Sequence, residues 1–182
     1  MNDLIATLDE IIKSDFKYTL ESGCYQLREL KISNYSVTKI HIEGKTVCYT
    51  FDIEKCNIFP FLQDKEGLKK VCDYILIQIH EHKVFIFLCE LKSKEKGLEK
   101  AAMKQLKAAK IFVEYLVETA RRYKRQKFPV TYRALIFSLS NTLRFSTHVK
   151  NDFKADNYQK GQTILFKHLR AGQGCHLKNH CH

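Results

Sequence analysis

The chain has 182 residues, 45% of them apolar and 28% charged, with two prolines and seven glycines; this suits one globular domain with a real core. Collagenous, low-complexity and disordered classes are thereby excluded. The net charge of +11 is uneven: residues 1–91 carry 11 basic and 14 acidic side chains, net −3, while residues 92–182 carry 20 and 6, net +14. That asymmetry points to a polyanionic partner, most simply nucleic acid. No window approaches the roughly 18 apolar residues of a membrane span, and the start Met-Asn-Asp-Leu-Ile-Ala-Thr-Leu-Asp-Glu lacks the pattern of a signal peptide. A cytoplasmic protein without a membrane partner is expected. The seven cysteines, in contexts such as Val71-Cys72-Asp73 and Leu88-Cys89-Glu90, fit buried reduced thiols better than a disulfide framework.

In chain order, Leu4, Ile5, Leu8, Ile11 and Ile12 recur at helical spacing and predict a short amphipathic helix from Asp3 to about Ser14. Alternating runs Ser36–Glu43 and Thr46–Ile53, joined by Gly44-Lys45, predict an antiparallel hairpin. A connection over Asn57–Gly67 contains Pro60. Two nearly continuous apolar strands follow, Val71–His80 and Val84–Lys92, which belong in the covered centre of a sheet. Leu98, Ala102, Ala109, Phe112, Val113, Leu116 and Ala120 form one stripe of a long helix from Gly97 to about Arg125, stopped by Pro129. Thr131–Leu139 is another apolar strand. Beyond Ser140 a polar loop is expected through Gln162, then a short strand Thr163–Lys167 and a glycine-rich end, Ala171–His176. The whole predicts one α/β domain with a central mixed sheet flanked by helices, its core at about residues 69–139, and a basic, partly irregular C-terminal region.

The chemistry centres on the two apolar strands. A turn centred between Glu81 and His82 pairs positions whose numbers sum to 163, which places Asp73 opposite Glu90. Opposed side chains in an antiparallel pair have Cβ atoms about 4.5–5.5 Å apart, and Lys92 projects from the same face as Glu90. Two carboxylates so close repel in an apolar setting unless a cation lies between them. Hard oxygen ligands favour magnesium or manganese.

Cys72-Asp73, followed after an apolar strand by Glu90-Leu91-Lys92, resembles the PD-(D/E)XK superfamily of nucleases, with Cys72 standing where the family's proline stands. The resemblance covers about Lys69–Leu139 and implies a restriction-endonuclease-like or Holliday-junction-resolvase-like core. It implies that Asp73 and Glu90 bind the metal and that Lys92 positions the attacking water. Some branches add a helix glutamine, matched in position by Gln105, and others a metal-binding glutamate from the opening helix, matched by Glu10. DNA is implied as the substrate in preference to RNA. Lys94, Lys96, Arg121, Arg122, Lys124 and Arg125 are the expected contacts to phosphate, and a homodimer or a targeting partner protein would enlarge a small grip.

Other readings remain open on the same residues. Asp73, Glu90 and Lys92 could be a structural ion-pair cluster, in which case the chain would be a non-catalytic nucleic-acid-binding module. The chain could also be an effector subunit of a defence or restriction assembly, activated by a partner or ligand. The run Cys175-His176-Leu177-Lys178-Asn179-His180-Cys181-His182 holds five potential zinc ligands but lacks a second ligand pair, so a frayed tail or an adventitious metal binder is expected in preference to a built zinc site.

Overall fold

The structure, a computed structural model, describes residues 4–28, 38–51, 53, 58–63, 65, 69–92, 98–138, 153–159, 162–170 and 174–181. It is an α/β fold. The elements are α1 (Leu4–Ile11), β1 (Cys24–Leu27), β2 (Thr38–His41), β3 (Thr46–Tyr49), β4 (Tyr74–His80), β5 (Lys83–Lys92), α2 (Leu98–Lys124), β6 (Val130–Ser138), β7 (Lys154–Gln159), β8 (Gln162–Arg170) and β9 (Cys175–His176). A six-stranded sheet runs in the order β3-β4-β5-β6-β8-β7, and a smaller one in the order β1-β2-β9. In the large sheet β3, β4 and β5 are antiparallel neighbours, β5, β6 and β8 are parallel, and β7 returns antiparallel to β8. Among the described residues no helix is long and apolar enough to cross a membrane.

Strand periodicity sorts the core into two layers. Ile75, Ile77, Ile86, Leu88, Ala134 and Ile136 face α1 and α2, where they meet Leu4, Leu8, Ala102, Leu106, Ala109, Val113 and Val117. Their neighbours Tyr74, Leu76, Phe85, Phe87, Cys89, Leu135 and Phe137 face the opposite way, against Tyr25, Leu27, Ile40, Cys175, Leu177 and Cys181. Both helices therefore lie on one face of the large sheet, and the small sheet with the C-terminal segment covers the other. The layers are helices, central mixed sheet and small sheet. The six described cysteines are all free and buried.

The helix α2 buries Ala102, Leu106, Ala109, Val113, Val117 and Ala120 at three- and four-residue spacing. It ends where Arg125 takes a left-handed φ of 52° and the Gln126 amide donates back to the Arg121 carbonyl at 3.0 Å, ahead of Pro129.

Three expected features differ. The runs around Gly44-Lys45 are strands but not partners: β2 pairs with β1 and β9, whereas β3 pairs with β4. The reason is burial, since Val47, Cys48 and Tyr49 are covered on both sides and need the central sheet, while β2 exposes Lys39 and suits a one-sided layer. Gly44, at φ 80°, turns the chain from one sheet to the other. Within the expected polar loop lies β7, an edge strand whose sequence Lys-Ala-Asp-Asn-Tyr-Gln gives no apolar alternation. The C-terminal segment is not frayed: β9 pairs with β2, a short 3-10 helix covers Leu177–His180, and Cys175, Leu177 and Cys181 are buried.

Candidate functional site

The β4–β5 hairpin turns through Glu81 and His82, both left-handed at φ 47° and 64°, the backbone of a tight two-residue turn. Its register runs from His80 opposite Lys83 to Tyr74 opposite Cys89. One step further along this register sets Asp73 against Glu90. The Leu91 amide donates to Asp73 Oδ2 at 2.7 Å, which fixes that carboxylate at the strand end. Glu90 is fully buried, on the same face as Leu88 and Ile86, beneath α2.

Lys92 lies two residues beyond Glu90 and on the same side. Its ammonium donates to Glu90 Oε1 and, at 2.6 Å, to Gln105 Oε1. Gln105 stands on the buried stripe of α2 between Ala102 and Ala109, so the helix delivers an amide oxygen to the strand lysine. The second carboxylate oxygen, Glu90 Oε2, is buried and has no hydrogen bond among the described residues. Burial and the Asp73 carboxylate push the Glu90 carboxyl up to about 8, while the Lys92 ammonium pulls it down. The Lys92 ammonium thus meets the buried Glu90 carboxyl, with the Asp73 carboxylate close enough to raise it. The arrangement has room in its chemistry for further positive charge, because an unsolvated carboxylate oxygen is costly.

Asp73, Glu90, Lys92 and Gln105 are therefore brought together, but the other expected residues are not. Glu10 is held by Lys124, with the Lys124 ammonium 2.6 Å from Glu10 Oε2. Lys124 is 19 residues after Gln105 on one helix, about 28 Å away at 1.5 Å per residue. Glu10 as a third ligand of this site is thereby corrected. By the same distance Arg121, Arg122, Lys124 and Arg125, expected as contacts to phosphate, stand apart from this group: α2 runs back along the sheet, so its basic end lies by the start of β6, opposite the strand ends that carry Glu90 and Lys92. Arg121 is also engaged, donating to Glu118 Oε1 and to the Phe128 carbonyl. Lys94 and Lys96 lie outside the described residues.

A further pair near this edge went unread in the sequence. His168, on β8, stands level with Ile136 and so with Glu90, two strands away on the helix-facing side. Its Nε2 is 3.3 Å from Glu99 Oε2 in the first turn of α2. Burial lowers the His168 pKa even though Glu99 opposes that shift. Lys107 and Asp156, 3.0 Å apart, tie the next turns of the helix to β7. The expected strand Thr163–Lys167 stops one residue short of His168, and its carboxylate partner is distant in sequence, so local pattern held no signal for the pair.

Among the described residues no three His, Cys, Asp or Glu side chains converge as a metal cage, at the sheet edge or in the C-terminal segment. In that segment the Cys181 thiol donates to Gln78 Oε1 at 3.3 Å, and Lys178 pairs with Glu43 at 2.7 Å. No family model, curated protein or solved structure matches the chain.

Proposed function

We propose that this chain is a metal-dependent nuclease that hydrolyses phosphodiester bonds at the edge formed by Asp73, Glu90, Lys92 and Gln105. The observation that carries the reading is Glu90, a fully buried carboxyl group with one oxygen that has no hydrogen bond among the described residues, opposite the Asp73 carboxylate and beside the Lys92 ammonium. Such a donor set fits magnesium or manganese, hard cations that accept one or two protein carboxylates and take their remaining ligands from water and phosphate. When bound, the ion would supply Lewis acidity toward the phosphate and lower the pKa of an adjacent water. Asp73 and Glu90 would hold the cation. Lys92 would fix the attacking water and offset charge developing on the phosphate, and Gln105 aims the Lys92 ammonium by accepting one of its hydrogens.

The chain order supports this reading. An opening helix, the β4–β5 hairpin, the helix α2 and the further strand β6 follow the order that the superfamily resemblance implies. DNA rather than RNA rests on that resemblance, and the net charge of +14 in residues 92–182 favours a polyanion of either kind.

The test is digestion of supercoiled, linear and single-stranded DNA and of RNA with magnesium, manganese or chelator, using wild type, Asp73→Asn and Glu90→Gln. Cleavage should require the divalent ion and vanish in both variants. Chelator-resistant cleavage, or full cleavage by either folded variant, overturns the assignment.

A further inference from the structure

Two side-chain pairs join α2 to the strands β7 and β8 and have no part in the proposed chemistry. Lys107 Nζ stands 3.0 Å from Asp156 Oδ2 on β7, and Glu99 Oε2 stands 3.3 Å from His168 Nε2 on β8. Asp156 is level with Ile164, which packs in the layer beneath α2, and His168 lies four residues further along the same side of β8. All four side chains keep some exposure to solvent, so they can be changed without opening the core.

Helical geometry links these pairs to Gln105. Successive residues are turned by about 100°, so on either side of the fully buried Leu106 the side chains of Gln105 and Lys107 leave α2 on opposite flanks. Gln105 meets Lys92 on β5 at 2.6 Å, while Lys107 meets Asp156 on β7. Those two strands are separated by β6 and β8, three strand spacings or about 14 Å. Glu99, two turns before Leu106 and almost in line with it, pins the first turn of the helix to β8. The helix is therefore held from both sides, and the outer pairs control its roll about its own axis. Side-chain tips lie roughly 5–6 Å from that axis, so a roll of about 15° moves each by about 1.4 Å. A roll away from β5 thus takes the contact between Gln105 and Lys92 from 2.6 Å to beyond hydrogen-bonding range. Packing resists such a roll least beside Gln105, where the buried neighbours on its stripe are Ala102 and Ala109, each offering a single side-chain carbon.

We propose that β7 and β8 act as a yoke on α2, in which Asp156 and His168, through Lys107 and Glu99, are positioning residues that hold Gln105 against the Lys92 ammonium. The catalytic consequence rests on the nuclease reading, whereas the hold on Lys92 does not, and the test reads the two separately. Exchange of the Lys92 ammonium hydrogens with water, followed by nitrogen-15 NMR in metal-free protein, should become faster by about tenfold or more when Glu99→Gln and Asp156→Asn are combined. Glu10→Gln, which breaks a pair at the other end of the same helix, should leave that exchange unchanged. Magnesium-dependent kcat should fall about tenfold in the combined variant while KM is unaltered. In a Gln105→Ala background the same two changes should cost less than about twofold, because the group they position is gone. Lys107→Asp and Asp156→Lys should each reproduce the faster exchange, and the two together should restore the wild-type rate, which keeps the test decisive where the combined variant fails to fold. Unchanged ammonium exchange, an equal loss of kcat with and without Gln105, or no restoration by the charge exchange overturns the proposal. A wild type that cleaves no nucleic acid overturns the nuclease reading alone, and the ammonium exchange then decides the yoke by itself.

Discussion

The two ends of α2 carry the same kinds of charged side chain in opposite circumstances. Near its start, Gln105 meets Lys92 above a buried Glu90, one of whose oxygens has no hydrogen bond among the described residues. At its far end, Lys124 meets Glu10 and Arg121 meets Glu118, each pair partly exposed to solvent. The far end holds more positive charge, and although the buried Arg121 Nε has no hydrogen bond among the described residues, the charges of Arg121 and Lys124 are each met by a carboxylate. The near end holds less charge and is short of compensation. Candidate chemistry is thus marked by a deficit of partners under burial rather than by charge density.

The largest effect that would sharpen this contrast is on turnover. Asp73→Asn and Glu90→Gln should each lower magnesium-dependent cleavage by at least about 10³-fold, and Lys92→Ala by about 10²–10³-fold. Arg122→Glu with Arg125→Glu, exposed at the far end, should weaken nucleic-acid binding at all sequences alike and reduce its salt dependence. Cleavage at saturating substrate should survive that double reversal. If the far-end reversal abolished turnover as completely as Asp73→Asn, the two ends would not differ in the way described.

The next effect is on stability. The Glu90 carboxyl, ordinarily near 4.5, is raised to about 8 in the folded chain by burial and by Asp73. Below pH 4.5 folded and unfolded chains both hold the proton. Between 4.5 and 8 the unfolded chain releases it while the folded one retains it, so stability falls, and above 8 the loss is complete. The metal-free protein should therefore lose on the order of a few kcal/mol across this window from Glu90 alone. Glu90→Gln should abolish that decline and melt higher than wild type at pH 8. A melting temperature lowered by Glu90→Gln would instead mean that the carboxylate is the needed counter-ion of Lys92, the structural ion-pair reading.

How far the sequence carried each result follows from the range of the interactions involved. Asp73, Glu90 and Lys92 were legible because a tight hairpin converts sequence number into position, and His80 opposite Lys83 keeps the sum that also brings Asp73 to Glu90. Gln105 was legible because helical spacing aimed it between Ala102 and Ala109. Glu10 was not, since the crossing of α1 and α2 is set by packing of Leu4 and Leu8 against the longer helix, which no local pattern encodes. The partner of β3 was hidden for the same reason: alternation announces a strand, while tertiary burial chooses its neighbour. The basic run at the end of α2 announced its charge but not that the helix carries it away from the strand ends.

A smaller effect concerns the far-end pairs. Glu10→Gln and Lys124→Met should each change stability by no more than about 1 kcal/mol, because the Glu10–Lys124 pair is substantially exposed and screened. Cleavage should be unaltered in both. A Glu10→Gln protein that folds normally yet loses divalent-ion dependence would restore Glu10 to the site and would contradict its placement beside Lys124.

The smallest effect tests whether the strands or the turn hold the two carboxylates in register. Glu81 and His82 occupy left-handed backbone, where asparagine and glycine are preferred and a glutamate is strained. Glu81→Asn with His82→Gly fits the same two-residue turn with less strain and should raise stability by roughly 0.5–1 kcal/mol. Asp73 and Glu90 lie at the other end of the hairpin, and between them and the turn Ile75, Ile77, Ile86 and Leu88 are locked beneath α2. A slip of one residue would turn that whole apolar set to the wrong face, so the strands, not the turn, fix the register. The double variant should therefore melt slightly higher and cleave at the wild-type rate. Reduced cleavage together with raised stability would show that the original turn imposes a strand geometry the carboxylates require, and the hairpin would then have to be treated as one unit from turn to site.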